Sequence, residues 1–231
     1  MVMSSGIFYI VLMVVTLALG LGTQGYIQRM YSKFSKVKIN LNATGAQIAR
    51  KMLNDNGLAN VEVRCVDGTL SDHYDPRTRV VNLSRAVFTG SDVSSLAVSC
   101  HECGHAIQHA TNYSPLMIRT AIVPIANFSS NIWIILLICG FMFDAIGLVY
   151  AAIACFGFAV LFQIVTLPVE FNASKRGLAY IESGCNSSWI PSSEVLAGSK
   201  KVLTAAAMTY VAAALISIIQ LLYYVGMARN R

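Results

Sequence analysis

The run His101-Glu102-Cys103-Gly104-His105 holds residue types that can do metal chemistry. Residues 92–111 read as a helix, and on a helix positions i and i+4 stand one above the other. Both imidazoles can then reach a single metal ion. Glu102 lies beside that pair and can accept a proton from activated water without being a ligand. This is how a zincin works: zinc lowers the pKa of its water and polarises the scissile carbonyl, while a carboxylate serves as general base. A bare HExxH recurs by chance. Here three of the four histidines fall within nine residues, and the flanking Val98, Ala106 and Ile107 are apolar where a solvated helix would carry charge.

Two histidines leave a third protein ligand to find. His109 is nearest, but on a continuing helix it lies ~12 Å along the axis from His101. It joins the pair only if the helix bends sharply, and no glycine lies between His105 and His109. Glu170, in LPVEFNASKRG, would complete a His-His-Glu set. From spacing alone it reads equally well as an interfacial carboxylate paired with Lys175 or Arg176. Cys100 and Cys103 form a CxxC, but there is no second CxxC and no thioredoxin-like pattern around it, so a redox pair or half a zinc ribbon is the lesser reading. His73, in SDHYDPRT, reads first as a loop histidine, with a place beside the substrate as the alternative. Tyr180 and Arg176 are candidate oxyanion partners.

The elements that must position these residues follow from composition. The chain has 231 residues, 55% hydrophobic and only 12% charged, with a mean hydropathy of +0.59. Charged residues make up about a quarter of an ordinary soluble domain, so this composition excludes a disordered chain and points to a mainly α membrane protein. Four apolar stretches have the ~20 residues that cross a bilayer: about 6–26, 115–139, 145–168 and 203–227. The first lacks the basic leader of a signal peptide and reads as a retained span. Ser114 and Pro115 suit the start of the second, and a tight hairpin at Gly140 to Asp144 separates it from the third. Ser192 or Ser193 before Glu194 begins the fourth helix, which at 1.5 Å per residue is ~50 Å long and should protrude from the bilayer.

Four spans leave residues 27–114 and 169–202 on one side. These hold ten and four of the basic residues, against Arg229 and Arg231 opposite, with Arg119 inside a span. Arg29, Lys33, Lys36 and Lys38 stand directly behind the first span, which places both segments in the cytoplasm and both termini outside. The net charge of +6 is then topology rather than a nucleic-acid footprint. A reducing compartment suits six cysteines with no disulfide framework. Within 27–114, residues 43–56 read as an amphipathic helix carrying Ile48, Met52 and Leu53 and ended by Gly57. Residues 61–65 and 79–83 read as a strand pair, with an Asp67-Gly68 turn and a loop over 69–78. Ser91 reads as the cap of the HExxH helix. A strand pair ahead of that helix is a place where a peptide can add as an extra strand.

At SDHYDPRTRVVNLS (71–84), HECGHAIQH (101–109), VEFNASKRG (169–177) and KKVLTAAAMTYVAAAL (200–215) the chain resembles the neutral zinc metallopeptidases of bacterial membranes, the YugP type, a gluzincin-like group. The resemblance covers most of the chain apart from the first span. It implies one zinc held by His101, His105 and a downstream Glu, with Glu102 as base. The segment Glu170 to Ser174 is similar to the third-ligand segment of HtpX-type membrane proteases, Glu-x-x-Ala-Asp, which singles out Glu170. Ser174 stands where those proteases have Asp, a residue that supports a histidine ligand from behind. The order also departs from theirs, because here the HExxH helix follows the first span rather than the second.

The resulting expectation is a single integrated domain over 1–231: four transmembrane helices and a small zincin-like α+β cytoplasmic portion. It would be a zinc metalloendopeptidase of the bacterial plasma membrane acting on membrane or membrane-proximal proteins. Its expected partners are peptide substrates and membrane lipids, without nucleic acid. An intramembrane site-2-type protease needs HExxH inside a span and an LDG-type motif later, and neither is present. The non-enzymatic rival is a membrane scaffold with a structural or vestigial zinc site.

Overall fold

Long uninterrupted apolar runs form long helices, and these dominate the computed structural model, which describes residues 5–39, 43–186 and 193–229. The elements in chain order are α1 (Ser5–Phe34), α2 (Gly45–Asp55), β1 (Glu62–Val66), β2 (His73–Asp75), β3 (Val80–Ser84), α3 (Arg85–Thr89), α4 (Val93–Ala110), α5 (Ser114–Met142), α6 (Ile146–Asn186) and α7 (Ser193–Arg229). Among the described residues α1, α5, α6 and α7 are long and apolar enough to cross a membrane. Their side chains Leu17, Leu21, Ile135, Met142 and Leu222 are exposed, as lipid-facing residues would be. The protein is a mainly α membrane protein.

The chain divides into two compact units. The first comprises Met1–Gln24, Met117–Leu167 and Met208–Arg231. Here α5 and α6 are joined by a turn at 143–145, slightly later than the sequence suggests. Asp144 takes the left-handed φ of 46°, and the Ala145 N–H closes the turn on the Gly140 carbonyl at 2.9 Å. Gly140 is required there: a Cβ would lie 2.9 Å from the Val149 backbone nitrogen. Leu137, Val149, Ala152 and Ala228 pack beneath the Trp133 and Tyr224 rings.

The second unit comprises Gly25–Leu116 and Pro168–Ala207. Helix α2 has its capping box: Thr44 accepts from the Gln47 N–H, and the Gln47 side chain accepts from the Thr44 N–H at 2.8 Å. Its apolar stripe, Ile48, Met52 and Leu53, is fully buried, and Gly57 ends it at φ +73°. The sheet has three strands in the order β1-β3-β2, not the expected pair. β1 runs parallel to β3. β2 lies in the stretch read as a loop and pairs antiparallel with β3 through Tyr74↔Val81. Val81 and Leu83 of the central strand are buried in a core shared with Leu96, Cys100 and Ile181.

One further boundary differs from the sequence reading. The cap of α4 is Asp92 rather than Ser91: its carboxylate accepts from the Ser95 N–H at 2.9 Å. The helix of the third apolar stretch outlasts that stretch: α6 continues through Pro168 to Asn186 and carries Glu170 on the same helix. Ser192 lies outside the described residues, and α7 begins at Ser193.

Candidate metal centre

Helix α4 presents His101, His105 and Gln108 on one face at i, i+4 and i+7. Helix α6 comes close because small residues meet there. A Cβ on Gly104 would stand 2.5 Å from the Ala173 carbonyl oxygen, and one on Gly177 would stand 3.0 Å from the Cys100 carbonyl. This approach brings Glu170 to the histidines. Its Oε2 lies 3.4 Å from His101 Nε2 and 3.5 Å from His105 Nε2. The three donor atoms fall within 4.8 Å of one another, the one such grouping found among the described residues.

A single metal ion fits this cluster. Glu170 is buried, and its Oε2 makes no hydrogen bond, a costly state for a carboxylate oxygen unless a cation completes it. Two bonds of ~2.05 Å at a tetrahedral angle would hold donors about 3.3 Å apart, close to the spacing found. Each ring is oriented from behind. His101 Nδ1 meets Ser174 Oγ at 3.1 Å, and His105 Nδ1 meets Gln108 Oε1 at 3.0 Å. With Nδ1 engaged in both rings, both Nε2 atoms are directed at Glu170. Two nitrogens and one carboxylate oxygen are a donor set that suits zinc.

Glu102, next to His101, is buried. Burial raises its pKa and Glu170 and Asp72 add to the rise, while His101 and His105 act against it. A carboxylate with a raised pKa is a better proton acceptor. For His105 burial opposes charging, but Glu170 and Glu102 outweigh it and raise its pKa.

Ser174 therefore stands behind His101. His109 is not in the cluster: its Nδ1 meets the Tyr74 hydroxyl at 2.9 Å. His73 is exposed on β2, between the Ser71 carbonyl at 2.8 Å and the Asn82 amide at 3.2 Å. The two oxyanion candidates are held otherwise. Arg176 Nε donates to Asn172 Oδ1 at 2.8 Å, and the Tyr180 hydroxyl donates to Asp55 at 2.6 Å. No disulfide joins any of the six cysteines, all of which lie among the described residues. Burial raises the thiol pKa of Cys100 and Cys103, and Cys103 donates to the Ala49 carbonyl. These two thiols belong to the core rather than to a metal.

Sequence reasoning passed over Gln108. It is fully buried, and its amide nitrogen donates to the Val169 carbonyl at 2.8 Å and to Asn172 Oδ1 at 3.0 Å. It ties the second histidine to the turn of α6 that carries Glu170. The signal was available, since Gln108 lies three residues after His105 on the same face.

Fold and site together define a polytopic helical membrane protein with a two-histidine, one-carboxylate cluster suited to a metal ion. Residues 9–229 match the family described as "Putative neutral zinc metallopeptidase", and the chain belongs to that family. It is similar to the "Putative membrane protease YugP" of Bacillus subtilis (strain 168), with 43% identity over 222 residues, covering 96% of this chain and 97% of that protein. No solved structure matches the chain.

Proposed function

We propose that the protein is a zinc metalloendopeptidase in which His101, His105 and Glu170 hold one zinc ion and Glu102 is the general base. The observation that carries this reading is the convergence of both Nε2 atoms on an otherwise unbonded Glu170 Oε2, with a buried carboxylate at the adjoining position. Zinc, when bound, supplies Lewis acidity toward water and the scissile carbonyl. Glu102 takes the proton of the attacking water and passes it to the departing amine. Ser174 and Gln108 hold the imidazoles as Nε2 ligands throughout. The open edge of β2 offers a peptide an extended partner on which to lie.

The concentration of Lys and Arg in residues 27–114 and 169–202 supports a cytoplasmic site in a bacterial plasma membrane. Glu170 follows Pro168 on a helix continuous with an apolar run, which favours membrane proteins or chain ends near the bilayer as substrates. Equal cleavage of soluble casein and of membrane proteins would count against that preference. The reaction is tested with zinc-loaded protein on a fluorogenic peptide pool. Glu102→Gln should lose about 100-fold or more of the activity, the scale of general-base catalysis, while keeping its zinc. Undiminished activity in that variant would overturn the assignment.

A further inference from the structure

The second unit holds a cavity of about 290 Å³, bordered by Tyr74, Arg79, Ala106, His109, Asn60 and Asn112 among others, none of them acidic. We propose that this cavity is a subsite for a substrate carboxylate, bound chiefly by Arg79 and His109. The inference rests on the peptidase reading and names a preference of that same site.

Several independent features point to an anion. The Arg79 guanidinium is exposed and has no hydrogen-bond or ion-pair partner among the described residues. Arg79 also sits at φ +56°, a conformation uncommon and costly for a residue with a Cβ. The turn between β2 and β3 thus sets an unpaired guanidinium at the rim. The Tyr74 hydroxyl engages His109 Nδ1 at 2.9 Å, so Nε2 is the ring atom left to meet a ligand. Asn60 and Asn112 add amide groups to the lining. An arginine fork, an imidazole and neutral amides together suit a carboxylate.

The position of the cavity suits a substrate. On α4, Glu102, Ala106 and His109 fall at i, i+4 and i+7, so they share a stripe. The cavity therefore opens on the side of the helix that carries the base. His109 is ~10 Å along the axis from Glu102. An extended peptide advances ~3.3 Å per residue, so the carboxylate would belong to a residue two or three positions from the bond cut. Tyr74 lies on the edge strand β2, along which such a peptide would run. The carboxylate comes either from an acidic side chain or from the substrate's own C-terminus.

The test takes one cleaved fluorogenic peptide and walks a Glu, or its neutral counterpart Gln, through each position. A second arm compares free and amidated C-termini. The expected result is a preference of about tenfold, in KM rather than kcat, for a carboxylate two or three residues from the cut. The peptide series shows whether side chain or terminus supplies it. Arg79→Asn, which tolerates the backbone conformation, should bring the ratio toward one. Arg79→Lys should restore part of it, and Arg85→Gln, at an exposed arginine elsewhere, should leave it unchanged. If wild type cleaves the Glu and Gln series and both C-termini alike, the subsite is overturned and the peptidase stands. If wild type cleaves no peptide, the peptidase reading fails, and binding of the same peptides to Glu102→Gln protein decides the subsite. Tighter binding of the carboxylate form, lost in Arg79→Asn, upholds it, and equal binding overturns it.

Discussion

Replacing Gln108 with methionine removes one side chain of similar size and, with it, the bonds that join His105 to α6. Three hydrogen bonds go: the one accepted from His105 Nδ1 at 3.0 Å and those donated to Val169 and Asn172. Asn172 Oδ1 still accepts from Arg176, and the Val169 carbonyl lies within a helix. His105 Nδ1 is the group left without a partner. A buried donor in that state costs ~1–3 kcal/mol, and each of the other two bonds contributes ~0.5–1.5 kcal/mol, so the apoprotein should lose about 2–6 kcal/mol. The imidazole escapes part of this by moving its proton to Nε2, the atom a metal needs. Zinc affinity should therefore fall by about 10–100-fold, the range for groups that orient metal-bound histidines. Competition against a chromophoric zinc chelator in detergent measures that loss, and thermal unfolding of the apoprotein measures the other. Gln108→Glu keeps an acceptor for His105 but no donor for Val169, so it should recover affinity more than stability. Zinc binding within twofold of wild type in Gln108→Met would refute the reasoning.

Other substitutions probe the same assembly. Gly104→Ala forces a Cβ to 2.5 Å from the Ala173 carbonyl oxygen. It should push α6 away from α4, lowering both the thermal midpoint and zinc content; a variant with normal zinc content would show that the close approach is dispensable. Ser174→Ala removes only the 3.1 Å contact with His101. It should weaken zinc binding less than Gln108→Met does, read by the same chelator competition. Asp72 is held by the Ser84 N–H at 2.7 Å and by its hydroxyl, yet burial raises its pKa above the usual carboxylate value. Its charged form is thus disfavoured in the fold, and stability is gained as pH falls through the folded pKa toward about 3.9. Asp72→Asn cannot titrate. Thermal midpoints taken from neutral to mildly acidic pH should therefore shift in favour of wild type relative to that variant.

The site was legible where one helix supplied it. His101, Glu102 and His105 fall on a single turn-and-a-bit of α4, so spacing alone aligns them. Glu170 comes from another helix 65 residues beyond His105, and nothing local in the sequence encodes that approach. Resemblance pointed to it, and the close packing at Gly104 and Gly177 explains it physically. The spans were legible because lipid demands long apolar runs. The full reach of α6 was less so: the helix runs on beyond its apolar stretch, through Pro168 to Asn186. β2 has only three residues, and its identity as a strand depends on pairing with β3 rather than on any alternation of its own. Ser91 and Asp92 are both good caps, and the choice fell to the residue whose carboxylate reaches the Ser95 N–H.

Zinc stoichiometry of the purified protein, measured for wild type, Glu170→Gln and His109→Ala under one preparation, tests the central claim most directly. The account predicts about one zinc per chain in wild type, the same in His109→Ala, and loss in Glu170→Gln, since metal binding follows the ligand set. Loss in His109→Ala with retention in Glu170→Gln would contradict the assigned ligands, and no zinc in any of the three would contradict the metal centre itself.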